Sequence, residues 1–233
     1  MTKKRRWAKI LPVLVFTLFF GFSSIFTFAF SLETYRSAEK KKVGSSRIGL
    51  GVLGGYGLFS NSQYSGGAAF GATFTFGFTK NIAIELAGIY LKGAVAGNPD
   101  TLSKGKLTTV PLQLSLMGRF PIGKTITPYV LAGGSYFLNS FTLDSTVTDG
   151  WNAVGFTLTE KVDKSFGFHF GGGLEFALSK SLSAGADVRY CVAKANGNWS
   201  MKDNISNIED SGTFSDLNLN NMIFSFAVKY FFK

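Results

Sequence analysis

From Phe70 to Phe78 every second residue is apolar. Phe70, Ala72, Phe74, Phe76 and Phe78 alternate with Gly71, Thr73, Thr75 and Gly77. A helix cannot sort side chains by parity, whereas a strand must, because its successive side chains point to opposite faces. The alternation recurs. Ile82, Ile84, Leu86, Gly88 and Tyr90 alternate with Ala83, Glu85 and Ala87. Val110, Leu112, Leu114, Leu116 and Phe120 alternate with Gln113, Ser115 and Arg119. Phe166, Phe168, Phe170, Leu174 and Phe176 alternate with Gly167, His169, Gly173 and Glu175. Leu182, Ala184, Ala186, Val188, Tyr190 and Val192 alternate with Ser183, Asp187 and Arg189. Met222, Phe224, Phe226, Val228, Tyr230 and Phe232 alternate with Ser225, Ala227 and Lys229. Residues 47–59 (glycine-rich) and 128–142 read as two less regular strands. The resulting eight strands of about 10–14 residues exceed the roughly 5–6 usual in soluble sheets and match the roughly 9–11 tilted residues that cross a bilayer.

Two folds hide such apolar faces. In a soluble barrel the apolar face points inward, and the other face is dense in Lys, Glu and Thr. Here the second face is mostly Gly, Ala, Ser and Thr, and only 16% of the chain is charged. Such a face is poor at meeting water but fits the crowded interior of an eight-stranded barrel. The pattern therefore predicts an all-β, eight-stranded antiparallel transmembrane up-and-down β-barrel with its aromatic face toward lipid. Aromatic residues near strand ends (Tyr56, Phe59, Phe78, Tyr90, Phe120, Tyr129, Phe176, Tyr190, Tyr230 and Phe232) are candidates for interfacial girdles.

The first residues favour export. Lys3, Lys4, Arg5 and Arg6 precede an apolar stretch from Ile10 to Phe30, and Ala29 and Ser31 are small. This predicts a signal helix over residues 1–31, with cleavage before Leu32. An uncleaved anchor helix is the alternative, since the apolar stretch is long. Residues 32–46 are polar and charged and read as a periplasmic lead-in, and residues 47–233 as the barrel. The formal charge is +10, but much of it lies in that leader. No basic stripe with interleaved aromatics follows, which argues against nucleic-acid binding.

Connections alternate in length. Those at 79–81, 121–127 and 179–181 are short. Those at 60–66, about 94–105, about 143–164 and about 196–218 are longer and are expected as loops. Barrels of the outer membrane have short periplasmic turns and long external loops, so both termini are expected in the periplasm.

If odd positions face the lumen, six charges enter it: Glu85, Glu175 and Asp187 against Arg119, Arg189 and Lys229. Buried charges must pair, so these six are expected to form a salt-bridged plug, mostly in the periplasmic half. Its minimal role is barrel stability; its functional role is a closed floor. Above it, Thr73, Ile89, Leu91, Thr109 and Phe137 would line an apolar-to-neutral pocket. Cys191 is the single cysteine and His169 the single histidine. Neither a metal site nor a cofactor site is expected. Gly171–Gly173 opens no helix and is not a phosphate loop. A catalytic His169 would require an adjacent nucleophile and an orienting group, so no enzyme is expected.

Two segments carry a resemblance. Residues 128–136, Pro-Tyr-Val-Leu-Ala-Gly-Gly-Ser-Tyr, and the hairpin from Phe168 to Tyr190 resemble small outer-membrane barrels of the OmpW, opacity and OmpX-like families. The resemblance implies residence in the outer membrane of a Gram-negative bacterium, among lipid and lipopolysaccharide. It implies the barrel-assembly machinery and periplasmic chaperones as partners during biogenesis. It also implies a porin-like passage for small apolar molecules or a part in membrane integrity. A structural or adhesive barrel acting through its loops is the alternative, and a lipid-modifying enzyme a remote one, since the His-x-Ser motif of lipid A-cleaving barrels is absent at His169.

Overall fold

The computed structural model describes residues 47–97 and 102–232. The expected signal helix at 1–31 and the lead-in at 32–46 lie outside the described residues, as do residues 98–101 and 233. Ten strands and one helix follow in chain order: β1 (Arg47–Phe59), β2 (Gly67–Gly77), β3 (Ile82–Val95), β4 (Gly105–Arg119), β5 (Ile126–Leu143), α1 (Ser145–Ala153), β6 (Phe156–Val162), β7 (Ser165–Ala177), β8 (Leu182–Asp203), β9 (Glu209–Asn218) and β10 (Asn221–Phe231).

Eight strands close a ring in the order β1-β2-β3-β4-β5-β7-β8-β10, and β10 pairs back onto β1 from Gly49↔Phe231 to Phe59↔Asn221. All neighbours are antiparallel, so each ring strand has hydrogen-bonded partners on both sides. The remaining two strands lie in what the sequence reads as loops. β8 runs 22 residues, well past its barrel portion, and its distal part pairs with β6 on one side and β9 on the other. A small sheet therefore continues beyond the long-loop end of the barrel. β9 is polar and weakly periodic, whereas β6 alternates Phe156, Leu158 and Val162 with Thr157, Thr159 and Lys161 over only seven residues. α1 begins at Asp144, whose carboxylate accepts from the Thr146 backbone N–H (3.1 Å) and hydroxyl (2.6 Å). This is a standard cap for a first turn.

Parity sorts the wall. Even positions face out: Phe168 is 74% exposed and Phe226 76%, while Glu85 and Arg189 are fully buried. Two aromatic residues depart from the girdle expectation. Phe59 and Tyr129 occupy odd positions and turn into the lumen, where both are buried. Strand parity outranks chemical type there, because rotating one side chain outward would move the whole strand. The other eight girdle candidates occupy even positions, facing outward.

The chain thus presents a continuous apolar outside around an ionic inside. Water would solvate neither arrangement well; lipid solvates the outside. Leu114 sits midway along β4 and is half exposed. In water an exposed Leu→Arg change is close to neutral. At a bilayer midplane it costs about 2–4 kcal/mol. Leu114→Arg is therefore expected to lower the unfolding free energy in lipid vesicles by about that amount. Unchanged stability would place this wall outside the membrane.

Candidate functional site

The lumen is built in storeys. At the level of Thr75, Glu85, Asp187 and Ser225, three strands (β3, β8 and β10) bring ionised groups together. Arg189 Nη2 donates to Glu85 Oε1 (2.8 Å) and to Asp187 Oδ2 (2.8 Å), and its Nη1 donates to Gln113 Oε1 (3.0 Å). Lys229 Nζ donates to Glu85 Oε2 (2.6 Å), which also accepts from Thr75 (3.3 Å). Asp187 receives the Ser225 hydroxyl (2.6 Å) and the Tyr129 hydroxyl (3.0 Å). Each carboxylate oxygen in this group therefore has a donor, as a buried charge network requires. Gly51 makes space for it: a Cβ there would lie 2.7 Å from both Lys229 Cγ and Thr73 Oγ1.

Nearer the short-turn end, Arg119 Nη2 donates to Glu175 Oε1 at 2.7 Å. The Arg119 guanidinium also lies over the Phe231 ring, 5.9 Å from its centroid. The six charges expected in the lumen are thus all buried, in two separate groups. Among the described residues no ion pair joins Arg119–Glu175 to the Glu85–Asp187–Arg189–Lys229 group.

Above the network, His169 is held by two serines: Nε2 lies 2.7 Å from Ser115 Oγ and Nδ1 lies 2.8 Å from Ser135 Oγ. Gln113 Nε2 donates to Cys191 Sγ at 3.3 Å. With both ring nitrogens on hydroxyls and the ring buried, His169 bridges β4, β5 and β7.

The upper storey is apolar. Ile89, Leu91 and Phe137 are fully buried in one cluster with Leu53, Leu107 and Ile223. Thr109 is buried at the same level, its hydroxyl without a hydrogen-bond partner. Thr73 lies lower, beside the Lys229 stem. Ile89, Leu91 and Phe137 thus belong to one buried apolar cluster, while Thr73 lines a hollow at a lower level.

One seam in the wall borders this storey. β3 and β4 pair through Gly88↔Leu112 and again from Leu91↔Thr109, but Ile89 and Tyr90 have no ladder partner opposite Val110 and Pro111. Pro111 has no N–H to give. Ile89, Leu91, Thr109 and Phe137 stand on the inner side of that interruption, Pro111 pairing across to Phe137 on β5. A mostly apolar hollow of about 820 Å³ is lined at the level of Gly88 and Leu112 by residues of both parities, among them the outward Phe74 and Phe168 and the inward Gln113 and Ser135.

One buried group carries no signal in the sequence. Glu160 on β6 is buried, and its carboxylate accepts from the Ser103 backbone N–H (2.9 Å) and the Ser103 hydroxyl (2.5 Å). It ties the β3–β4 loop to the external sheet. Only the tertiary pairing of β6 with β8 brings these residues, 57 apart in the chain, into contact.

The family model described as the outer membrane protein beta-barrel domain matches residues 22–232. The chain is similar in structure to the outer membrane protein OprG from Pseudomonas aeruginosa, at TM-score 0.53 and 20% identity over 81% of this chain and 99% of that one. It is similar to AlkL as determined in lipid bilayers, at TM-score 0.51 and 15% identity over 84% and 94%. It is also similar to a major outer membrane protein from Thermus thermophilus, at TM-score 0.53 and 12% identity over 81% and 100%. At these identities the likenesses establish the fold. No curated protein matches the sequence.

Removing one partner of a buried ion network leaves the others uncompensated, at a cost of about 3–5 kcal/mol. Arg189→Ala strips a donor from both Glu85 and Asp187 and is expected to destabilise the barrel by that amount in urea unfolding from detergent. The exposed pair Lys194–Asp216, 3.0 Å apart, contributes at most about 1 kcal/mol. Lys194→Ala is therefore expected to leave the transition nearly unmoved.

Proposed function

Because the chain belongs to the outer membrane protein beta-barrel domain family, we propose that it admits small apolar molecules to the outer membrane through the upper half of its lumen. The long-loop end then faces the exterior, and the short turns and both termini face the periplasm. The interrupted β3–β4 seam carries this reading. An axial route is blocked, since a molecule moving toward the short turns meets the Arg189 network, where displacing paired charges is prohibitive. An apolar molecule that enters among Ile89, Leu91 and Phe137 has a shorter path sideways. The wall there lacks the ladder bond that an N–H at position 111 would make, and a mostly apolar hollow is lined by the adjoining pair Gly88 and Leu112. Passage needs only side-chain rearrangement in the upper storey and local parting of a strand pair already short of hydrogen bonds. Ions and water gain nothing from such a route, so the barrel is not a diffusion pore.

A second reading rests on the external sheet, where Ile205 is 87% exposed and Ile208 69%. These residues, at the β8–β9 turn, suit contact with another surface.

Uptake of a small apolar dye by outer-membrane vesicles tests the first reading. The chain is expected to accelerate uptake while planar bilayers show no ionic conductance. Pro111→Ala restores the missing donor and is expected to slow uptake several-fold. Equal uptake with and without the chain overturns the reading. Shortening the 204–208 turn without loss of surface binding disposes of the second.

A further inference from the structure

The outer wall is nearly free of charge, and its few exceptions are alike. Among the described residues, the outward positions of the eight barrel strands carry ionisable groups other than tyrosine only at lysines: Lys92 on β3, Lys106 on β4, and Lys194 and Lys202 on the distal part of β8. Lys194 is neutralised by Asp216. Lys92 and Lys106 make no ion pair among the described residues. The two are near neighbours on the outward face: Lys92 lies opposite Thr108 and Lys106 opposite Ala94. Lys104 continues the row at the head of β4, 3.6 Å from Asp144 and about half exposed.

Their height is set by the register. One outward step nearer the middle of the barrel stand Tyr90, Val110 and Leu138. At the lysine level stand Thr108, Ser140 and Thr142, Lys106 lying opposite Thr142 and Thr108 opposite Ser140. The wall therefore changes from apolar to hydroxyl and ammonium within one step, as it must where acyl chains give way to headgroups. A lysine at that height keeps its stem on apolar surface and lifts its ammonium to the headgroup layer. No carboxylate occupies the outward faces of β2, β3, β4 or β5, and Asp144, one residue past β5, is taken up by Lys104, so Lys92 and Lys106 present their charge to whatever lies beside the wall.

We propose that Lys92 and Lys106, with the hydroxyls of Thr108, Ser140 and Thr142, form a binding site for the phosphate groups of a phosphorylated glycolipid of the outer leaflet. The ammonium groups pair with phosphate oxygens and the hydroxyls donate to them, while the lipid's acyl chains lie on the wall below. This rests on the proposed orientation, with the long-loop end outward.

The purified full chain, folded in zwitterionic detergent, is titrated with fluorescent diphosphoryl lipid A, its fully dephosphorylated form, and inorganic phosphate as competitor. The native chain is expected to bind the diphosphoryl form well above the dephosphorylated one. Lys92→Gln with Lys106→Gln is expected to weaken diphosphoryl binding about thirtyfold, at roughly 1 kcal/mol for each lysine. It leaves binding of the dephosphorylated form unchanged, as does Lys194→Gln for both. Heat-modified gel migration confirms that each variant is folded. Equal affinity of the double variant and the native chain overturns the proposal. Displacement of lipid A by millimolar inorganic phosphate identifies a free-anion site and overturns the lipid assignment. Orientation is read separately, by labelling Ser206→Cys in intact cells with an impermeant maleimide. Absence of label refutes the orientation. Label together with unchanged lipid A binding in the double variant refutes only the lysine site.

Discussion

A sheet in hydrocarbon has no water to hydrogen-bond its edge strands, so it must close on itself. The β1–β10 pairing does this, joining the first and last described strands over eleven successive residue pairs. That closure fixes everything else. It assigns one parity of every strand to the wall and the other to a narrow lumen, and it forces any charge on the inner parity into the dark. Wherever the closed ladder is interrupted, the interruption has consequences, because unpaired backbone in such a wall is costly. The seam at Pro111 is placed where the neighbouring lumen is apolar, and a proline has one less donor to leave unsatisfied.

The ionic floor follows from the same closure. Three carboxylates and three cations sit inside a ring too narrow to hydrate them. The geometry resolves this with short, charge-assisted bonds and with neutral partners: Tyr129, Thr75 and Ser225 donate to Asp187 and Glu85, and Gln113 accepts from Arg189. Such a network need not stabilise the fold more than apolar packing would. On the proposed function it also closes the short-turn half of the lumen to apolar solutes.

The external sheet places a rigid body on the long-loop end rather than a set of open loops. Glu160 fastens the β3–β4 connection to it through Ser103. The Glu160–Ser103 contact thus brings this sheet to the β3–β4 loop, at the same end of the barrel as the outward lysines of β3 and β4. Under the two proposals above, entry of a solute and contact with lipid phosphate both involve β4.

Parity made much of this molecule legible in the chain itself. The alternation at Phe70–Phe78 or Phe166–Phe176 is a local property, so strand existence and the inward set containing Glu85, Arg119, Glu175, Asp187, Arg189 and Lys229 could be read without coordinates. Two aromatic positions show the limit of reading residue type before parity: Phe59 and Tyr129 look like girdle residues but are odd, and Tyr129 instead supplies a donor to Asp187. Partner choice was not legible. Glu85 and Lys229 are 144 residues apart, and only ring closure and shear decide that they meet, while Arg119 takes Glu175 in a separate pair. The same holds for the seven-residue β6 and the polar β9, which pair with the two edges that the distal part of β8 offers. Sequence determined which way each side chain of the barrel looks, because that depends on period alone. Tertiary structure decided which groups touch across the lumen, because that depends on the register of strands distant in the chain.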